Sequence, residues 1–111
     1  MKKVVKPWGN FKEFAKNKKC TVKIIELKPG QEFSLQYHKN REENWYFLDS
    51  GTAIVGNRKF KVKEGDVVKV PRKTKHRVIA GKKRVRFLEV SYGDFDESDI
   101  VRLEDKYGRV K

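Results

Sequence analysis

Glu32-Phe-Ser-Leu-Gln-Tyr-His38 alternates apolar and polar side chains, and after four intervening residues the aromatic-rich run Glu43-Asn-Trp-Tyr-Phe-Leu48 begins. Alternation with a period of two predicts a β-strand with one buried face, and aromatic residues favour strands. The same pattern occurs before this pair, in residues 21–27. It also recurs after the pair, in residues 52–55, 58–63, 67–70, 76–79 and 84–91. The sequence therefore predicts a series of short strands.

Turn residues separate these strands at intervals of about eight to twelve residues, as in β-sandwiches and small barrels. Gly56-Asn57 predicts a two-residue hairpin turn, and Ala80-Gly-Lys-Lys83 predicts a second hairpin between the strands that flank it. We therefore predict an all-β fold that forms one domain over residues 1–111. Residues 94–111 are predicted to form a C-terminal tail that packs on the barrel, and within it residues 99–105 fit either a short strand or a helical turn.

Length and charge limit the classes of function. A chain of 111 residues fits one domain with a modest core and one cleft. Cys20 is the only cysteine, which excludes an internal disulfide and fits a reducing, cytoplasmic compartment. No apolar run has the length of a membrane span, so no membrane partner is predicted. The formal charge of +13 attracts anions such as a phosphorylated metabolite. Because the cations are spread along the chain without a recognised nucleic-acid-binding motif, no specific nucleic-acid partner is predicted.

The chain has two histidines, His38 and His76, and both fall at spacings that suit metal ligands. Gln36 and His38 are two residues apart, so on a strand their side chains leave the same face. If residues 39–42 form a hairpin loop, Glu43 faces His38 from the neighbouring strand, with the two Cβ atoms about 5 Å apart. A buried carboxylate beside a histidine and an amide needs a partner for its charge. This pattern favours a bound divalent metal over the alternative, a buried polar network without an ion.

The same residues carry a family resemblance. The following positions resemble the two motifs of the cupin superfamily: Gly30, Gln36, His38, Glu43 and Gly51, then Gly65, Pro71 and His76. Gln36 stands where the first motif has its leading histidine. Further segments resemble the C-terminal isomerase domain of type II mannose-6-phosphate isomerases: residues 6–9, 35–38, Arg41, Trp45, 50–53, 74–77 and 99–109. In that family the domain is often fused to a mannose-1-phosphate guanylyltransferase, whose activity is not expected of this chain.

The resemblance implies a jelly-roll (double-stranded β-helix) barrel that holds one divalent metal on Gln36, His38, Glu43 and His76. It also implies the interconversion of mannose 6-phosphate and fructose 6-phosphate through an enediol, with the metal as Lewis acid. Two imidazoles with two oxygen donors suit zinc, and manganese, iron, cobalt and nickel are also compatible.

Other residues are candidates for binding the substrate or moving its proton. Arg41 lies in the loop beside two proposed ligands, and Arg102 and Arg109 belong to the tail, so all three are candidates for holding the phosphate. For each arginine the alternative is an ordinary solvated cation. The remaining candidates are Tyr107 and Trp45 for substrate binding, and Glu104 and Lys75 for proton transfer.

Two asparagines depart from the family pattern. Asn40 and Asn44 stand where the family commonly has histidines, and in the predicted hairpin Asn44 points away from His38 and Glu43. If one of the missing imidazoles carries the proton, the protein binds metal and sugar but turns over poorly. A non-catalytic cupin and a cupin isomerase or epimerase acting on another sugar are therefore the alternatives. The family also implies a homodimer that pairs through an N-terminal strand.

Overall fold

The chain forms two facing β-sheets and a separate N-terminal hairpin. A computed structural model describes residues 1–109. The strands, in chain order, are β1 (Lys2–Lys6), β2 (Gly9–Glu13), β3 (Cys20–Leu27), β4 (Leu35–Tyr37), β5 (Glu43–Phe47), β6 (Gly51–Val55), β7 (Arg58–Val62), β8 (Val67–Val70), β9 (His76–Ile79), β10 (Val85–Tyr92) and β11 (Val101–Glu104). One sheet has the order β3-β10-β5-β8 and the other β11-β4-β9-β6-β7, and β1 pairs with β2 in a third. All described pairings are antiparallel.

The core lies between the two larger sheets because each turns alternate apolar side chains inward. Trp45, Phe47 and Phe87 of the four-stranded sheet are fully buried and share one cluster with Ala53 and Val78 of the five-stranded sheet. Burying each of the large side chains contributes roughly 1.5–3 kcal/mol. No described residue is helical, so the all-β prediction is confirmed. The described strands form a jelly roll of two sheets and do not close into a single ring.

The predicted hairpin at Gly56-Asn57 is confirmed. β6 and β7 pair in a register that places Val55 opposite Arg58, which leaves two residues in the turn. Gly56 has a φ of 61°, a left-handed conformation that glycine adopts without steric cost.

Two other predicted hairpins are wrong. β4 lies between β11 and β9, whereas β5 lies between β10 and β8 in the opposite sheet, so the two strands are not neighbours. β9 and β10 are likewise in different sheets. Alternation of side chains specifies which face of a strand is buried but not which strand pairs with it. The connecting loops are long enough to cross the roughly 10 Å between packed sheets.

The two ends of the chain differ in how they join the fold. The hairpin of β1 and β2, which the sequence did not predict, pairs with neither large sheet. β11 extends the five-stranded sheet beside β4, so residues 101–104 form a strand and not a helical turn. The part of the predicted tail at residues 110 and 111 lies outside the described residues. Between residues 1 and 109 the chain has no helix with the length and apolar character that crossing a membrane requires.

Candidate metal centre

Three buried side chains meet between the two sheets. His38, Glu43 and His76 offer donor atoms that all lie within 4.8 Å of one another. Glu43 Oε2 is 3.7 Å from His38 Nε2, and Glu43 Oε1 is 3.9 Å from His76 Nε2. Two donors bound about 2.1 Å from one ion at a tetrahedral angle lie about 3.4 Å apart. Small side-chain movements would therefore bring these atoms to bonding distance of a common ion.

Opposite sheets supply these donors. Glu43 is the first residue of β5, in the four-stranded sheet, and His76 is the first residue of β9, in the five-stranded sheet. His38 directly follows β4, whose Gln36 is the register partner of His76. The candidate ligands therefore converge across the space between the sheets and not across the hairpin that the sequence predicted.

Backbone carbonyls fix the orientation of both imidazoles. His38 Nδ1 donates to the carbonyl of Asp99 at 2.5 Å, and His76 Nδ1 donates to the carbonyl of Thr74 at 2.9 Å. With Nδ1 protonated, each Nε2 keeps its lone pair for the cluster. Burial lowers the pKa of both histidines below the ordinary value. Both rings are therefore neutral near pH 7, which is the form that binds a metal.

The Glu43 carboxylate has three further neighbours. It accepts hydrogen bonds from Arg41 Nε at 3.4 Å, from Trp45 Nε1 at 3.2 Å and from Ser91 Oγ at 3.3 Å. Arg41 Nη2 also lies 3.2 Å from His38 Nε2. Because that nitrogen has one lone pair, Arg41 would have to withdraw from it before His38 could bind an ion.

Gln36 lies at the edge of the cluster. Its Nε2 is 3.5 Å from His38 Nε2, and its Oε1 accepts a hydrogen bond from Ser34 Oγ. A half-turn of the amide would direct the oxygen toward the other donors. Two neutral imidazoles, one carboxylate and one amide oxygen suit a divalent ion and leave it a net charge of about +1. The donor set therefore fits the kind of metal that the sequence predicts.

A cavity of ≈ 200 Å³ opens beside these donors. Its walls include Gln36, His38 and Arg41 together with Lys23 and Glu89, two residues that were not predicted to belong to the site. The cavity therefore brings two of the candidate metal ligands, Gln36 and His38, together with the oppositely charged side chains of Lys23 and Glu89.

Glu89 is the buried carboxyl of this cavity. The residue is 8 % exposed, and its Oε1 accepts a hydrogen bond from Ser91 Oγ at 3.4 Å. Burial, reinforced by the negative charge of Glu43, raises the pKa of Glu89 from 4.5 to about 7. A carboxyl with a raised pKa in a cleft is typical of a functional site.

Residues 94–100, which we call the covering loop, run over the cavity. The ring of Phe95 lies 4.2 Å from Arg41 Cζ, and Phe95 is part of the cavity wall. The Asp99 carboxylate accepts hydrogen bonds from the backbone N–H groups of Lys39 and Asn40, each at 2.9 Å. The covering loop is therefore attached to the same loop that carries His38 and Arg41.

The predicted candidates for proton transfer do not reach the cavity. The Glu104 side chain is 68 % exposed and lies 3.9 Å from Arg77, and Lys75 is not part of the cavity wall. Trp45, predicted to contact the sugar, is fully buried in the core behind the metal donors. Its contribution to the site is the hydrogen bond to Glu43.

The predicted phosphate-binding residues are divided between two places. Arg41 lines the cavity, whereas Arg102 and Arg109 line a neighbouring groove of ≈ 440 Å³. Arg109 is paired with Asp105, with Nε 2.6 Å from Oδ2. The Tyr107 hydroxyl donates to Gln31 and does not contact the cavity.

The two asparagines that replace family histidines do not contact the metal donors. Asn44 Nδ2 donates to the Tyr92 hydroxyl at 2.8 Å, on the outer face of the four-stranded sheet. Asn40 lies in the exposed loop, where its backbone N–H bonds to Asp99.

A signal for both missed residues is present in the sequence. Glu89 has the same phase in β10 as the buried residues Val85 and Phe87, and Lys23 has the same phase in β3 as the cavity residue Ile25. A charged residue in phase with apolar ones on a strand points to the buried face. Phase alone does not separate Lys23 from Glu26, which is in phase with the exposed Val22 and Ile24.

Known proteins are similar to this chain in sequence. The family model for the C-terminal region of mannose-6-phosphate isomerase matches residues 1–105. The xanthan biosynthesis protein XanB of Xanthomonas campestris pv. campestris is 38% identical over 113 residues, which cover 98% of this chain and 24% of XanB. The mannose-1-phosphate guanylyltransferase RfbM of Salmonella typhimurium is 35% identical over 112 residues, which cover 97% of this chain and 23% of RfbM. The chain thus spans about a quarter of the length of these curated relatives.

A solved structure shows the same architecture. The cupin 2 conserved barrel domain protein from Rhodopseudomonas palustris superimposes with a TM-score of 0.67 at 26% identity, over 77% of this chain and 60% of that one. Together with the match over residues 1–105, this likeness shows that the chain belongs to the mannose-6-phosphate isomerase C-terminal family and has a cupin fold.

Proposed function

We propose that this protein is a metal-dependent sugar-phosphate isomerase that interconverts mannose 6-phosphate and fructose 6-phosphate. The observation that carries the proposal is the position of the Glu89 carboxyl in one cavity with the candidate metal ligands His38 and Gln36. An aldose–ketose isomerase needs a group that moves a proton between two neighbouring carbons and a cation that stabilises the enediol. Membership of the family supports the choice of substrate.

The metal ligands and Glu89 have different roles in the proposed reaction. A divalent ion on His38, Glu43, His76 and Gln36 would supply a Lewis acid for the oxygens at C1 and C2 of the open-chain sugar. The Glu89 carboxylate takes the proton from C2 of mannose 6-phosphate as the C1–C2 double bond forms, and the C1 oxygen takes a proton from a water molecule. Glu89 then returns its proton to C1 while the C2 hydroxyl gives its proton to the resulting hydroxide and becomes the carbonyl of fructose 6-phosphate. The reaction is balanced, with no oxidation and no net change in protons.

Zinc is the metal that we propose for this site. Neutral imidazoles and a carboxylate are ordinary zinc ligands. Each histidine directs its Nε2 into the cluster while its Nδ1 is bonded to a backbone carbonyl. Elemental analysis of freshly purified protein tests this choice, with manganese, iron, cobalt and nickel as the other possible results.

A coupled assay tests the reaction. Protein stripped with a chelator and reloaded with one metal at a time should convert mannose 6-phosphate to fructose 6-phosphate. No turnover with zinc, manganese, cobalt or nickel would refute the proposed reaction. Calorimetric binding of the sugar phosphate without turnover would instead identify a non-catalytic cupin. A panel of other aldoses would detect an isomerase or epimerase for a different sugar.

We further propose that the protein forms a homodimer in which a second copy covers the outer face of β3. Val22 and Ile24 on that face are 56% and 66% exposed, and Trp8 in the turn of the N-terminal hairpin is 73% exposed. A two-stranded hairpin is marginally stable on its own in water, and β1 and β2 pair with each other alone among the described strands. A second copy offers the same apolar residues in return, as a twofold interface requires.

A further inference from the structure

We infer that Lys23 binds the phosphate group of the substrate and makes the site selective for phosphorylated sugars. This inference rests on the proposed function, because it assigns a residue to the substrate of that same site. It replaces the tail arginines Arg102 and Arg109 as the candidates for this role.

Lys23 lies on the inner face of β3, in phase with Ile25 and Leu27. The register of the sheet pairs it with Glu89 of β10, so the two Cβ atoms lie about 4.5–5.5 Å apart. Both side chains line the ≈ 200 Å³ cavity. The Lys23 side chain is 38% exposed, so its ammonium group lies at the mouth of the cavity, where it can meet an anion that enters from solvent.

The present partner of Lys23 is weakly held. Lys23 Nζ lies 3.3 Å from Glu97 Oε1 and 4.1 Å from the ring centre of Phe95, both in the covering loop. The Glu97 side chain is 81% exposed, and an ion pair with such an exposed group contributes little to stability. A phosphate dianion carries more charge and more acceptor oxygens than a carboxylate, so it would replace Glu97 readily.

Lys23 is also at a suitable distance from the candidate metal ligands. Ser91 of β10 pairs with Glu43 of β5 on one side and with Thr21 of β3 on the other. Lys23 is the next residue after Thr21 on the inward-facing side of β3. The backbones of β3 and β5 are about 10 Å apart across β10. Lys23 Nζ extends from this position to Glu97 of the covering loop, so a sugar with C1 and C2 at Glu89 and the metal ligands would bring its C6 phosphate to Lys23 if it extends toward that loop.

The other cations are less suited to this role. Even after an ion displaces Arg41 from His38, Arg41 keeps its bonds to Glu43 Oε2 and, through Nη1 at 3.1 Å, to the carbonyl of Asp96. Arg102 and Arg109 line the separate groove, and Arg109 is paired with Asp105. Lys23 is therefore the cavity cation that can accept an anion without losing a bond to the metal donors.

Calorimetry on the zinc-loaded protein tests this inference. The affinity for mannose 6-phosphate is divided by the affinity for mannose, so that general damage to the site cancels within each variant. The wild type should prefer the phosphorylated sugar. Lys23→Met should reduce this preference by about tenfold or more, the usual effect of losing a hydrogen bond to a charged group. Lys23→Arg, which keeps the charge, should restore most of it.

Two further variants complete the design. Lys69→Met removes an exposed lysine from β8 and should keep the wild-type preference. Arg109→Met tests the rival phosphate site, and loss of the preference there, with retention in Lys23→Met, would overturn the inference. Loss of the preference in Lys23→Met with no turnover in the wild type would support Lys23 while refuting the isomerase. Turnover in the wild type with an unchanged preference in Lys23→Met would support the isomerase while refuting the role of Lys23.

Discussion

The substitution Glu43→Gln tests the metal centre with a change that almost preserves side-chain volume. The Glu43 oxygens lie 3.7 and 3.9 Å from the two histidine Nε2 atoms. Glutamine keeps one carbonyl oxygen but lacks the negative charge that attracts a divalent ion. Loss of a group that merely supports a metal ligand costs about 10–100-fold in affinity. Loss of this charged ligand should therefore weaken metal binding by about 100-fold or more.

This loss of affinity converts into a thermal shift. Free metal at 100 times Kd stabilises the wild type by about 2.7 kcal/mol, which raises Tm by about 11 °C at about 4 °C per kcal/mol for a domain of this size. After a 100-fold loss of affinity the same concentration equals Kd, and the stabilisation falls to about 0.4 kcal/mol, or about 2 °C. The Tm without metal falls as well, because the buried Arg41 loses its carboxylate partner. The metal-induced shift is therefore the quantity to compare.

The assay is thermal unfolding of chelator-stripped protein with and without added zinc. Glu104→Gln makes the same chemical change at an exposed carboxylate outside the cavity and should keep the full shift. A Glu43→Gln variant that shows the wild-type shift would refute the proposed donor set.

Three further substitutions have expected outcomes. Glu89→Gln should lower turnover by about 100-fold or more, the usual contribution of general acid–base catalysis, while elemental analysis finds the metal unchanged; undiminished turnover would exclude Glu89 as the base. Asn44→Ala should retain the full metal content, since the Asn44 amide donates to Tyr92 on the outer face of the four-stranded sheet. Loss of metal from this variant would contradict the placement of Asn44 on the outer face. Ile24→Lys should convert the proposed dimer to a monomer in light scattering, because it places a charge among the exposed apolar residues on the outer face of β3; an unchanged mass would reject the β3 interface.

The sequence predicted which face of each strand is buried better than it predicted which strands pair with each other. His38, Glu43 and His76 were identified from residue type and spacing, and they do lie together. The predicted pairing of their strands was wrong, because His38 and Glu43 meet across two sheets and not within one hairpin. A period of two fixes which side chains are buried, whereas pairing depends on loops and on contacts far along the chain.

The surroundings of the donors depend on contacts that local patterns do not contain. The carbonyl that accepts the orienting hydrogen bond from His38 belongs to Asp99, 61 residues further along. The placement of the covering loop over Arg41 likewise joins distant segments. Glu89 and Lys23 are different, because their phase within β10 and β3 was available from the sequence. Neither was distinguished from the other charged residues of a chain that is 39% charged.

The candidate metal ligands connect the two large sheets. Glu43 belongs to the four-stranded sheet, whereas Gln36 and His76 belong to the five-stranded sheet. An ion bound by all of them requires the sheets to be packed together, and an unfolded chain cannot present the donors at one point. Binding free energy then becomes folding free energy. The ion that would polarise the sugar would thereby also hold the cavity walls that carry Glu89 and Lys23 at a fixed separation, so that metal loss should weaken substrate binding as well as turnover.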